Sequence, residues 1–163
     1  MAPDGPMARA IKLKAQGVIR NSSFSFHDSP GNMAEIIRRG EGVFSSVLCQ
    51  YNLLDRANEE SIAYAREKGL GTVIMGPVGG GRLGSPSAAI SQMVDKNVQS
   101  TAEMALRFVL ANPNVNIALS GMENISMVEE NAKVASIEGP LTAEELGRVE
   151  AMLEENKRLA ELY

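Results

Sequence analysis

The sequence predicts an α/β protein with a parallel sheet, and two observations support this. Four short runs with strand character alternate with helical segments of about ten residues or more. None of the strand-like runs shows a clean apolar–polar alternation, which is typical of parallel strands covered on both faces. Crossovers through a helix join parallel strands with right-handed connections. Either an open four-stranded sheet or half of an eight-stranded barrel would fit this pattern.

The order of the elements follows from their boundary residues. The predicted strands occupy residues 18–26, 43–51, 71–75 and 115–121. The predicted helices occupy residues 6–16, 30–39, 58–68, 86–94, 101–111, 124–136 and 142 onwards. Ser29 and Asn58 are suitable N-cap residues, and glycines follow the first three helices. Ser100 with Glu103, and Thr142 with Glu145, have the spacing of a capping box.

Composition indicates the class of protein and excludes several kinds of partner. The chain has 163 residues, 44% of them hydrophobic and 22% charged, which predicts one soluble domain over residues 1–163. A net charge of −4 without a basic stripe argues against nucleic acid as a partner. No apolar run approaches the roughly 20 residues of a membrane helix, and the first residues lack the apolar core of a signal peptide. We therefore expect a cytoplasmic protein with no membrane partner.

The single cysteine, Cys49, excludes an internal disulfide and a cysteine-rich metal site. It lies in the strand-like run VFSSVLCQY, so we expect a buried and unreactive thiol. No other grouping of residues has the spacing of a metal site. We expect no bound metal.

The most unusual stretch is VIMGPVGGGRLG, from Val73 to Gly84, where a strand runs into a glycine-rich loop. Residues 79–84 match G-x-G-x-x-G literally, but Ser85–Pro86 interrupts the helix that a dinucleotide fingerprint requires. The fingerprint also needs an acidic residue about 20 residues after the last glycine, and residue 104 is Met. No Gly-Lys-Ser/Thr follows, so a P-loop is excluded. Two interpretations remain: a loop whose amides hold an anion such as a pyrophosphate, or a flexible surface loop.

Polar or glycine residues stand at the carboxyl ends of all four predicted strands. They are Ser25 to His27, Gln50 to Asn52, Met75 to Gly81, and Ser120 to Met122. In barrels and doubly wound sheets this is the face where ligands bind. The strand ends therefore favour the ligand-binding interpretation of the glycine loop.

Four motifs resemble the carboxyl half of the aldo-keto reductases: VLCQYNLLDR, IMGPVGGGRLG, ALRFVLANPNVNIALSGM and VEENAKVA, with QGVIRNSSFSFHDS before them. The likeness is greatest to the subgroup that often carries a ferredoxin-like tail, which this sequence does not contain. The resemblance implies a TIM-type (β/α)8 barrel of which this chain supplies the last four β/α units, a half barrel. It also implies a nicotinamide cofactor, NADP or NAD, across the carboxyl face.

The resemblance implies a role for eight residues of this chain in cofactor binding. Ser25 and Gln50 would hold the nicotinamide carboxamide, and Met75 would lie against the nicotinamide ring. Gly79 and Gly81 would meet the pyrophosphate. Gly121 and Met122 would meet the adenosine phosphate, and Asn131 would meet the adenine. Phe26 and Met127 depart from the family's asparagine and 2′-phosphate arginine. The choice between NADP and NAD is therefore open.

The family's catalytic tyrosine, lysine, aspartate and histidine lie in the first half of the barrel, before the part that this chain resembles. We therefore expect no catalytic residue here, and His27 is not the family's catalytic histidine. The resemblance implies NAD(P)H-dependent reduction of an aldehyde or ketone in the full-length enzyme, so a small carbonyl substrate would bind only with the missing amino-terminal half. The alternative is a non-catalytic nucleotide-binding or regulatory module.

A half barrel exposes strand edges and apolar surface, so we expect it to form a homodimer, to dock onto a missing half or to aggregate.

Overall fold

The structure, a computed structural model, describes residues 5–84 and 98–160 and contains one parallel sheet in the strand order β1-β2-β3-β4. The strands are β1 Ser23–Phe26, β2 Ser46–Gln50, β3 Gly71–Met75 and β4 Ile117–Leu119. The α-helices are α1 Pro6–Ala15, α2 Pro30–Arg39, α3 Glu59–Glu67, α4 Thr101–Ala111, α5 Ile125–Ala135 and α6 Ala143–Ala160. The predicted parallel α/β arrangement is confirmed. The helix predicted over 86–94 lies outside the described residues.

Three strands are shorter than the sequence predicts, and hydrogen bonding explains the clearest case. The predicted first strand began at Val18, but the amides of Val18 and Ile19 donate to the carbonyl of Leu13 and so close the end of α1. Gly17 takes the positive φ of 72° that this helix ending requires. β1 therefore begins only at Ser23. The third strand, Gly71–Met75, has the bounds that were predicted.

The predicted capping residues behave in two different ways. Thr142 and Glu145 form a reciprocal capping box, since the Thr142 amide donates to Glu145 Oε2 at 2.8 Å and the Glu145 amide donates to Thr142 Oγ1 at 3.2 Å. Asn58 occupies the N-cap position of α3, but its side chain makes no capping bond. Its Nδ2 donates instead to the carbonyl of Gln50 at 2.9 Å, so that side chain holds the end of β2.

The described helices cover one face of the sheet only, so the expectation that both faces are covered was wrong. Burial alternates along β2 and β3: Val47, Cys49, Thr72 and Ile74 are fully buried, while the residues between them are partly exposed. On the second face, Ile117 and Leu119 each remain 50% exposed. We call this second face, formed by Ser23, Ser25, Ser46, Leu48, Gln50, Gly71, Val73, Met75, Ile117 and Leu119, the open face.

The core lies between the covered face and the helices. Phe26, Met33, Ile37, Ile62 and Phe108 are buried there, and Tyr51 stacks on Phe108 with ring centroids 5.6 Å apart. Cys49 is fully buried, as predicted, and burial raises the pKa of its thiol to about 11. Within the described part of the chain, no helix is long and apolar enough to cross a bilayer.

Candidate functional site

The register of the strands brings three of the predicted site residues onto the open face. Gln50 is paired with Met75, and Ser25 is paired with Leu48, which lies two residues before Gln50 on the same face. Because side chains alternate between the faces of a strand, Ser25, Gln50 and Met75 point to the same side of the sheet. All three lie within the last two residues of their strands. The carboxyl edge of the open face is therefore a shared surface, as the strand ends predicted.

A polar network behind this edge holds Gln50 and the loop that follows β2. Gln50 Nε2 donates to Asp55 Oδ2 at 2.7 Å. The fully buried Asn52 accepts from the amides of Leu54 and Asp55, each at 2.9 Å, and donates from Nδ2 to the carbonyl of Gly76 at 2.9 Å. Asn52 thus forms an Asx turn and joins β2 to the start of the glycine loop.

Sequence reasoning missed the roles of Asn52 and Asp55. The available signal was an asparagine directly after a strand, because an asparagine side chain there can bond the backbone amide two residues further on and form an Asx turn. The bond from Nε2 to Asp55 fixes the orientation of the Gln50 amide, and Oε1 is its side-chain atom that can accept a hydrogen bond from a ligand amide.

The glycine loop is a folded turn, which answers why the sequence uses so many glycines there. Gly76, Gly79, Gly80 and Gly81 have φ values of 63°, 60°, 64° and 90°, which residues with side chains rarely adopt. The buried side chain of Leu83 anchors the loop in the core. Residues 76–84 therefore form a defined turn whose backbone favours glycine.

The amides of this loop are less available than the sequence suggested. The amide of Gly79 donates to the carbonyl of Gly76 at 2.9 Å, and that of Gly81 donates to the carbonyl of Val78 at 3.2 Å. The sequence predicted a loop with amides free to hold an anion, and the tight turn uses the amides of Gly79 and Gly81 internally. A Cβ atom added at Gly80 or Gly81 would meet nothing within 4 Å, so the surface beside the loop is open to a ligand.

The remaining predicted residues lie after β4. Gly121 is exposed with open space where a Cβ would project, and Met122 is 44% exposed. Asn131 on α5 donates from Nδ2 to Ser120 Oγ at 3.2 Å, so it is held against the end of β4. Asn131 also lines a cleft of about 490 Å³ between α4 and α5, which we call the α4–α5 cleft.

The described tyrosines lie away from the open face. Tyr51 is buried on the covered side, donates to Glu59 Oε1 at 2.8 Å, and burial together with Glu59 raises the pKa of its phenol. Tyr64 lies in α3, with Lys68 placed 5.3 Å from its ring. His27 is exposed directly after β1. Within the described residues, no tyrosine therefore stands where it could donate a proton at the site.

The residues at this edge fit a nicotinamide nucleotide in their chemistry. Gln50 and Ser25 offer amide and hydroxyl groups to a carboxamide, and the Met75 thioether is an apolar contact for a ring. The loop surface at Gly80 is open, and Asn131 offers an amide within the cleft. The sheet is about 14 Å wide from β1 to β4, three strand spacings, so a ligand reaching all of these residues must be extended.

Comparison with known proteins supports both the fold and the family. The model of the aldo/keto reductase family matches residues 7–154. The chain is 28% identical over 128 residues to an uncharacterised oxidoreductase of Schizosaccharomyces pombe, covering 77% of this chain and 40% of that protein. It is 32% identical over 129 residues to the L-galactose dehydrogenase of Arabidopsis thaliana, covering 68% of this chain and 40% of that enzyme. The chain thus spans less than half the length of these relatives.

Solved structures show the same relationship. The holo form of an aldo-keto reductase from Bacillus halodurans has a TM-score of 0.78 and 26% identity, covering 93% of this chain and 56% of that one. An aldo/keto reductase from Klebsiella pneumoniae in complex with NADP and acetate has a TM-score of 0.73 and 25% identity, covering 92% and 55%. These structures are (β/α)8 barrels, so the prediction of a half barrel is confirmed.

Proposed function

Because the chain belongs to the aldo/keto reductase family, we propose that it forms the cofactor-binding half of an oxidoreductase that uses NAD(P)H to reduce an aldehyde or ketone. The observation that carries the proposal is the register that puts Ser25, Gln50 and Met75 on one face at the carboxyl edge of the sheet. The bound cofactor supplies a hydride. The residues of this chain bind and orient it.

We assign the eight residues as follows. Ser25 and Gln50 hold the nicotinamide carboxamide, with Gln50 fixed by Asp55 so that its Oε1 accepts from the carboxamide nitrogen. Met75 lies against the nicotinamide ring. The loop containing Gly79 and Gly81 meets the pyrophosphate from its open side, since the amides of these two glycines are already used. Gly121 and Met122 meet the adenosine phosphate, and Asn131 meets the adenine in the α4–α5 cleft.

Carbonyl reduction also needs a proton donor for the developing alkoxide, and no tyrosine among the described residues stands at the site. We therefore propose that this chain alone has little or no turnover and that the carbonyl substrate binds only when the complementary half of the barrel is present. The open face supports this, because Ile117 and Leu119 are half exposed and β1 and β4 each pair with one described strand only. A second copy of the chain, as a homodimer, or the complementary half would cover it.

We also propose a cytoplasmic location, which suits the free, buried thiol of Cys49.

The experiment that tests cofactor binding is a calorimetric titration of the chain with NADH and, separately, with NADPH. We expect Gln50→Ala to weaken binding about tenfold, because it removes a hydrogen bond to the carboxamide. Gln16→Ala is the matched control, since Gln16 is exposed at the end of α1, before the amino end of β1, whereas the site lies at the carboxyl ends of the strands. If Gln50→Ala and Gln16→Ala bind equally well, the assignment of Gln50 is wrong.

The same observations allow a second function, a nucleotide-binding module without chemistry. It is favoured by the position of Tyr51, which is buried on the covered side and bonded to Glu59. A fusion protein that joins this chain to an amino-terminal half carrying the family's tyrosine would distinguish the reductase from the nucleotide-binding module. Reduction of an aldehyde panel supports the reductase, whereas cofactor binding without turnover supports the module. Reduction that is unchanged in Gln50→Ala would contradict both.

A further inference from the structure

Arg56 joins the loop after β2 to three helices on the covered side of the sheet. Its guanidinium contacts Glu59 Oε2 on α3 at 2.6 Å and Glu150 Oε1 on α6 at 3.1 Å. Its Nε also donates to Glu59 Oε2 at 2.8 Å, and its guanidinium carbon lies 5.6 Å from the ring centre of Phe108 on α4. One side chain of the loop therefore contacts α3, α4 and α6 at once.

Arg56 directly follows Asp55, the residue that binds Gln50. Asp55 Oδ2 accepts from Gln50 Nε2 at 2.7 Å. The backbone of Asp55 is bonded in both directions to that of Asn52, with donor–acceptor distances of 3.0 and 3.1 Å. Asn52 thus fixes the start of the loop and Arg56 its end, and Asp55 lies between them. A movement of Arg56 would therefore shift Asp55 and, with it, the amide of Gln50.

The helix α6 packs on the core beside an open cleft. Val149 is buried, and Leu146 packs against the core cluster. Next to them lies a cleft of about 410 Å³ between α3, the end of α4 and α6, and Glu59 and Glu150 are among the residues that line it. Because Arg56 contacts both of these carboxylates, it provides a polar link from α6 to the loop beside this cleft.

We propose that Glu150 on α6, acting through Arg56, positions the Gln50 amide for the nicotinamide carboxamide. Cofactor binding on the open face is then coupled to the docking of α6 on the covered face. The inference rests on the proposed function, because it needs the carboxamide at Gln50. The side chains of Arg56 and Glu150 are 33% and 43% exposed. Because partly exposed ion pairs contribute modestly and are screened by salt, the effect of Glu150 is small and salt-dependent.

The test is a calorimetric titration of wild type and Glu150→Gln with NADH and with ADP-ribose, which has the same adenosine and pyrophosphate but no nicotinamide. We expect Glu150→Gln to weaken NADH binding about threefold at low salt, and less at moderate salt. Its affinity for ADP-ribose should change less than about 1.5-fold. If wild type binds NADPH more tightly than NADH, the same comparison uses NADPH and 2′-phospho-ADP-ribose.

Glu154→Gln is the matched control, because it makes the same charge change on α6 at an exposed side chain one helical turn further along. Equal effects of Glu150→Gln and Glu154→Gln would overturn the proposal. Equal losses of affinity for NADH and ADP-ribose would also overturn it, because they would show that Glu150 supports the fold in general rather than the nicotinamide end.

A double-mutant cycle tests whether Glu150 acts through Gln50. In the Gln50→Ala protein, the further change Glu150→Gln should alter NADH affinity less than about 1.5-fold, because the amide that it positions is gone. A further threefold loss in that protein would overturn the route through Gln50.

Amide hydrogen exchange measures the same link without a ligand. The amides of Leu54 and Asp55 donate to Asn52 Oδ1, and we expect them to exchange about threefold faster in Glu150→Gln than in Glu154→Gln. Equal exchange in the two variants would overturn the link from α6 to the loop. If neither NADH nor NADPH binds the wild-type chain, the proposed function is wrong, and the positioning role of Glu150 is wrong with it.

Discussion

Asn52 donates from Nδ2 to the carbonyl oxygen of Gly76 at 2.9 Å, and this one bond joins the loop after β2 to the glycine loop after β3. Asn52 is fully buried, and its other side-chain atom, Oδ1, accepts from the amides of Leu54 and Asp55. The same short segment therefore fixes Asp55, which in turn binds Gln50. Asn52, which is not itself a proposed ligand contact, therefore adds a side-chain link between the loop that holds Gln50 and the glycine loop to the pairing of Gln50 with Met75.

Replacing Asn52 should destabilise the protein and loosen the site. Asn52→Ala leaves two backbone amides and the Gly76 carbonyl without their side-chain partner, so we expect the free energy of unfolding to fall by about 2–3 kcal/mol. Urea unfolding measures this directly. Asn21→Ala is the control, because Asn21 is exposed and accepts from Ser45 Oγ at the surface; it should cost less than about 0.5 kcal/mol. Similar losses in the two variants would contradict the role assigned to Asn52.

A side chain added in the glycine loop would have enough room, but the backbone conformation there disfavours residues other than glycine. Gly80 has a φ of 64° and open space where a methyl group would project, so Gly80→Ala should destabilise by about 1 kcal/mol through backbone strain alone. Gly31→Ala is the matched change in α2, where the space is equally open and the backbone is helical. There we expect a gain of about 0.5–1 kcal/mol. Thermal unfolding compares the two, and a stabilising Gly80→Ala would mean that the positive φ is not required.

The open face should drive association of the isolated chain. Leu119 is 50% exposed on the edge strand β4, and Leu119→Glu puts a charge on that apolar surface. We expect the dissociation constant of the self-associated form to rise at least about tenfold, measured by sedimentation velocity. Val18→Glu is the control, since Val18 is 67% exposed in the α1–β1 connection. A non-associating wild-type chain, or an equal effect of Val18→Glu, would contradict an interface on the open face.

Stability should fall at high pH because of Cys49. Burial raises the pKa of its thiol from 9.0 to about 11, so between these values the unfolded chain loses a proton that the folded chain keeps. The unfolded state then binds fewer protons, and the free energy of unfolding falls as pH rises; the contribution is complete below pH 9. For one thiol the slope cannot exceed about 1.4 kcal/mol per pH unit.

Urea unfolding at intervals through this window, for wild type and Cys49→Ala, measures the effect. The variant should lose less stability than wild type, although it starts from a lower value because of the cavity. Burial also raises the pKa of Tyr51, but that residue is present in both proteins and its contribution cancels in the difference. Parallel declines in the two proteins would show that Cys49 does not titrate in this window.

Local signals predicted the elements with different success. Pro30 and Gly40 predicted the bounds of α2, although the Ser29 side chain makes no capping bond, and β3 has its predicted bounds. Val18 and Ile19 have strand-like side chains, yet their amides complete the end of α1. Asn58 has the side chain of a helix cap, yet it binds the carbonyl of Gln50 eight residues away. In both cases a contact to another element decided the outcome.

By itself, the sequence determined the parallel α/β class, the order of its strands and helices, and the set of polar and glycine residues at the strand ends, because these follow from side-chain type and spacing along the chain. Only the tertiary structure decided which residues share a face. The register pairs Gln50 with Met75 and leaves that face uncovered by the described helices, whereas Tyr51, one residue further along, is buried on the other side. The physical reason is the two-residue period of a strand: a shift of one residue exchanges the two faces, and only pairing with neighbouring strands fixes which shift occurs.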